Sequence, residues 1–128
     1  MAWRNFDSTY ESFQNTDDAN ARTAGTPELL GTTVCVPLHD AAAEATCTMI
    51  YKCEELVADK VTTADRGAIV AGEKVRVHLS GANAGMVEDD GGTLAAALVD
   101  CGFALETVVA ADTQVRIRFN GEAGQLRA

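Results

Sequence analysis

Apolar and polar residues alternate in short runs along most of this chain. In residues 74–79 (KVRVHL), Val75, Val77 and Leu79 point one way and Lys74, Arg76 and His78 the other. That period of two marks a strand with one buried face. Residues 113–119 (TQVRIRF) alternate likewise, with Val115, Ile117 and Phe119 inward and Arg116 and Arg118 outward. Residues 46–56 (TCTMIYKCEEL) place Cys47, Met49, Tyr51 and Cys53 on one face. Residues 32–38 are rich in β-branched side chains, and Pro37 marks an edge or a strand end. Residues 94–99 and 102–106 read as apolar strands around Asp100 and Cys101, and Met86–Val87 as part of a hairpin in a Gly-, Asn- and Asp-rich stretch. Residues 54–61 also suit a turn of helix, since Glu, Leu, Ala and Lys favour one. Residues 41–45 form a short connection, and Asn120–Gly121 a closing turn. No repeat of 20–50 residues is visible. About seven short, closely spaced strands predict an all-β fold, a small barrel or sandwich.

The first thirty residues differ. They are polar and acidic, yet hold Trp3, Phe6, Tyr10 and Phe13, four of the seven aromatics in the chain. Their spacing would put them on one face of a helix, although the intervening Asn, Asp, Ser and Thr favour turns. Residues 15–24 read as a polar loop or tether. The expected organisation is an extended N-terminal arm over 1–30, a β-domain over 31–121 and a tail over 122–128. Aromatics left in water form a patch that needs a partner, so the arm is expected to bind outside its own domain.

Composition sharpens this picture. The apolar residues are mostly Ala and Val, which bury little area each; such a domain gains stability by associating with copies of itself. The formal charge of −9 disfavours nucleic acid and anionic membranes as partners. No apolar run approaches the roughly 20 residues of a membrane helix. The N-terminus lacks the basic and apolar stretches of a signal peptide, which points to synthesis in a cytoplasm. Cys35, Cys47, Cys53 and Cys101 match no zinc-site spacing and read as buried thiols.

Catalytic patterns are not found. The chain has no phosphate-binding loop, no nucleophile elbow and no H-E-x-x-H. His39–Asp40 resembles half a triad, but neighbours on a strand point to opposite faces. The pairs Asp17–Asp18, Glu54–Glu55 and Asp89–Asp90 read as solvated turns, the last with some likeness to a loop for a hard cation. Neither catalytic residue, cofactor nor metal ligand is expected. Arg76, Arg116 and Arg118 form an outward stripe, either cross-strand ion pairs or an interface.

Three stretches carry a family resemblance: VCVPLHDAAAEATCTMIYKCEEL (34–56), IVAGEKVRV (69–77) and CGFALETVVAADTQVRIRFNG (101–121). In order and spacing they resemble the small capsid cement, or decoration, proteins of tailed phages. Glu54–Glu55–Leu56 stands where the family has an aromatic in its triplet. The resemblance implies a β-barrel-like homotrimer, without enzymatic activity, made in the host cytoplasm and bound to the phage major capsid protein on the exterior of the virion. The arm, Trp3, Phe6, Tyr10 and Phe13, lies outside the matched stretches; its expected capsid contact rests on its aromatics alone. The alternative is a tail or fibre accessory, or a host-surface glycan-binding module.

Overall fold

The computed structural model describes residues 2–89, 91 and 98–123. Eight strands build one curled antiparallel sheet: β1 (Glu11–Thr16), β2 (Glu28–Leu30), β3 (Thr33–Pro37), β4 (Thr46–Asp59), β5 (Lys74–His78), β6 (Val87–Asp89), β7 (Leu98–Ala104) and β8 (Gln114–Asn120). The expected strand over 94–99 lies partly outside the described residues, as do Asp90 and Gly92 of the acidic loop and tail residues 124–128. The all-β class is as the alternation predicts.

The order across the sheet is β2-β3-β4-β8-β7-β5-β6, with β1 on the other edge of β4. The sheet curls until β6 returns to the end of β4. There Val61 N–H donates to the Val87 carbonyl at 3.0 Å, beside a Lys60–Val87 bridge. The inward residues of β5 and β8, namely Val75, Val77, Val115, Ile117 and Phe119, fill the main core with Val34, Val36, Ile50, Leu56 and Val99.

The long strand β4 departs from simple alternation. It has no helical turn at 54–61; residues 54–59 continue the strand, because β8 pairs with them through Asp59. One extra residue, Tyr51, is inserted opposite β1, between the Glu11–Lys52 and Ser12–Ile50 pairs. A second irregularity lies between Cys53 and Leu56 opposite β8. Each extra residue reverses the facing of those that follow. Cys47, Met49 and Tyr51 therefore share a small second cluster with Cys35 and Phe13, whereas Cys53 turns into the main core. This corrects the single face expected for Cys47, Met49, Tyr51 and Cys53.

Gly102 makes another irregularity possible. Its φ is 141°, and an added Cβ would meet the Arg118 carbonyl oxygen at 1.9 Å. Only a residue without a side chain lets β7 lie this close to β8.

Candidate functional site

The N-terminal arm is extended but docked. Trp3, only 2% exposed, packs edge-on against Phe119 with ring centroids 5.4 Å apart. Its indole N–H donates to the Gly85 carbonyl at 2.8 Å. Gly25 makes room: an added Cβ would meet the Trp3 carbonyl oxygen at 2.3 Å, and Trp3 N–H donates to the Gly25 carbonyl at 2.9 Å. Arg4 exchanges two backbone bonds with Val57, 3.0 and 2.8 Å, on the edge of β4 away from β8. Phe6 packs on the main core and Phe13 lies 5.9 Å from the Tyr51 ring. Of the four, Tyr10 alone is more than a third exposed, at 38%.

These positions correct three expectations. The aromatics do not share a helix face; β1 is a strand, because its backbone completes an edge of β4. Trp3 is core and its ring is not available to another molecule. Residues 15–24 are not a free tether either. Arg22 is buried, ion-paired to Glu28 at 2.8 Å, bonded to the Asn15 side-chain oxygen at 2.6 Å, and bridged by its backbone to Ala41.

The arginine stripe is divided among separate partners. Arg76 pairs with Asp100 at 3.3 Å across β5 and β7. Arg116 lies between Glu55 and Glu106, at 3.3 and 3.6 Å. Arg118 lies over the Phe103 ring, 5.4 Å from its centroid. On the same outward face of β5, His78 pairs with Glu88 at 2.5 Å, while Arg66, in the loop before β5, pairs with Asp89 at 2.8 Å. Cross-strand pairing therefore accounts for much of the charge on these strands.

The cysteines are free and buried. Burial pushes the Cys35 thiol up to about 12, with Glu28 adding to it, and the Cys53 thiol up to about 11. Burial raises Cys101 as well. Thiols so shifted stay protonated at neutral pH, when the thiolate is the reactive form. Among the described residues no group of three or more His, Cys, Asp or Glu is arranged to hold a metal ion. The His39 ring does not meet the Asp40 carboxylate: its Nδ1 bonds the Asp40 backbone oxygen, while the carboxylate accepts from Ala24 N–H.

A feature that sequence reasoning missed lies at the end of the barrel where β5 and β8 begin. Two turns lead into these strands, Val70-Ala71-Gly72-Glu73 and Val109-Ala110-Ala111-Asp112. Each is closed by the same device. Val70 N–H donates to the Glu73 carboxylate at 2.6 Å, and Glu73 N–H returns to the Val70 carbonyl at 3.0 Å. Val109 N–H donates to the Asp112 carboxylate at 3.0 Å, and Asp112 N–H returns to the Val109 carbonyl at 3.1 Å. The turns are joined by reciprocal bonds between Ile69 and Val108, 3.1 and 2.9 Å.

Lys60 holds the second turn from beneath. Its side chain is buried, and its ammonium donates to the carbonyls of Val61, Val109, Ala110 and Asp112 at 2.8, 3.2, 3.1 and 2.5 Å. Burial lowers its pKa, opposed by the charge of Asp112. On this framework Val70 and Val109 stand 57% and 63% exposed. A valine followed three residues later by an acid, before an alternating strand, is the signal that could have located the pair. Chemically it presents two exposed apolar tips on hydrogen-bonded turns, with a carboxylate behind each.

Compared with known proteins, the chain matches no family model and no curated protein.

Proposed function

We propose that this chain is a non-enzymatic capsid decoration protein of a tailed phage. It would bind the exterior of the mature shell as a homotrimer, by contact with the major capsid protein. The observation that carries the reading is the end of the barrel just described. Two exposed valines are fixed on hydrogen-bonded turns, one of them also held by a buried lysine. A surface ordered before contact loses little entropy on binding, and exposed apolar side chains gain from being covered. The stretches that resemble cement proteins include both turns, and an apolar composition dominated by Ala and Val suits a protein stabilised by association.

The mechanism is linkage: a protein that binds the closed shell and not its dissociated parts stabilises the shell by that difference in affinity. Three contacts per trimer add avidity. Electron cryomicroscopy of mature shells from the encoding phage, mixed with the purified protein, tests the reading. Density outside the shell at three-fold positions is expected; uncoated shells at saturating protein would overturn it. Sedimentation equilibrium at micromolar concentration should give a trimer, and a monomer there counts against it.

A further inference from the structure

We infer that the paired turns dock onto a different protein, at an apolar socket bordered by Lys or Arg side chains, and are not the contact between copies of this chain. The inference rests on the reading of the chain as a binding protein and names the chemistry its partner surface must have. Val70 and Val109 supply the apolar tips, at 57% and 63% exposure. Behind each tip stands a carboxylate, Glu73 or Asp112, that uses one oxygen on its own turn. The other oxygen can accept from a cation brought close by the docked partner, and such charge-assisted bonds are the stronger kind.

Charge decides between occupants. Two copies meeting through this end would set Glu73 and Asp112 against their counterparts. Like charges across a contact oppose it, while a basic rim gains from the same field both in encounter and in register. The repeated device gives the recognition two matched points, an apolar tip and a carboxylate in each turn. A flat basic surface satisfies the acids and leaves the valines in water; an apolar surface without cations does the opposite. A socket with cations at its border satisfies both.

The test uses a soluble peptide of alternating leucine and lysine, with leucine–glutamate and serine–lysine peptides as controls. Amide chemical shifts of the whole protein are followed by NMR during titration. The leucine–lysine peptide should shift amides in 69–73 and 107–112, and both controls should bind about tenfold more weakly. In the double variant V70S/V109S, whose changes are on the surface, affinity should fall about tenfold with unchanged melting and sedimentation. Ala111→Lys should weaken binding and Ala111→Glu strengthen it. Shifts scattered over the surface, or equal affinity for the leucine–glutamate peptide, would overturn the inference. So would loss of self-association in V70S/V109S, which would make this end the contact between copies. The cement reading fails separately: the peptide then binds at the turns while shells stay uncoated.

Discussion

Gly102 and the cysteines show how single positions bind this structure to its chemistry. At Gly102 both backbone angle and space exclude a side chain, since the Arg118 carbonyl oxygen occupies the place of a Cβ. Gly102→Ala must either push β8 away or abandon the angle. Strain of this kind costs about 1–3 kcal/mol before any packing loss, so urea unfolding should show a loss of at least about 2 kcal/mol. The thiols add a pH dependence. Cys35 and Cys53 are raised from 9.0 to about 12 and about 11 in the folded chain. The unfolded chain therefore loses these protons first as pH rises. The stabilising effect of keeping them is complete below about pH 9 and is lost between there and pH 11–12. Melting temperature should fall through that alkaline window, and Cys53→Ala should flatten part of the fall. A melting curve unchanged between pH 8 and pH 11 would contradict the assignment.

At the scale of elements, the docked N-terminal segment and the Lys60 turn are the parts to test. The chain has one tryptophan, Trp3, so its fluorescence reports docking directly: blue-shifted emission when folded, red-shifted on unfolding. Replacing a buried aromatic by Ala costs about 3–5 kcal/mol, and Trp3→Ala or deletion of residues 2–10 should destabilise the whole barrel by that order, read by thermal or urea melting. Unchanged melting would mean that the ring is dispensable to the core. Lys60→Met removes the donor shared by four carbonyls; hydrogen exchange at 109–113 should quicken while exchange in β5 and β7 stays slow.

What was legible here follows from physics at each element. β5 and β8 were readable because each has one face in the core and one outside, so burial imposes a period of two. β4 was misread in part because its two irregularities change that period through distant partners, Glu11 and Ser12 of β1 for the first and Phe119 and Ile117 of β8 for the second, which no local window contains. The fate of Trp3 was hidden for the same reason: its place depends on Gly25, Gly85 and Phe119, and nothing local to residues 1–13 records them. The turn pair was present as VAGE and VAAD, inside two stretches noted for their resemblance. What the sequence could not convey was that the two lie side by side.

For the whole molecule, two properties act together, a strong negative charge and a small core. Ion pairs on the outer strands spread opposite charges locally, but the formal excess of nine acids remains. Any association of copies therefore works against long-range repulsion that salt reduces. The trimer proposed above should consequently tighten as ionic strength rises from about 0.01 to 0.15 M, where the screening length shortens from about 30 to 8 Å. Docking of the paired turns onto a basic socket should weaken over the same range. Sedimentation and peptide titration in parallel salt series would separate the two surfaces; if both respond in the same direction, one surface serves both contacts.

The position of β4 also has a consequence for how the chain is made. One edge of this strand is covered by residues near the start, β1 and the segment at Arg4, and the other by β3 and by β8, the last strand. During synthesis the early edge can be covered as soon as residue 59 has emerged. The late edge, residues 52–59, stays bare until residue 120 is out of the ribosome. Contacts so distant along the chain form slowly, and an uncovered strand edge invites pairing with another nascent chain. A chain stalled or cleaved before residue 114 keeps that edge permanently open, so premature termination should yield insoluble product in place of a shorter folded domain.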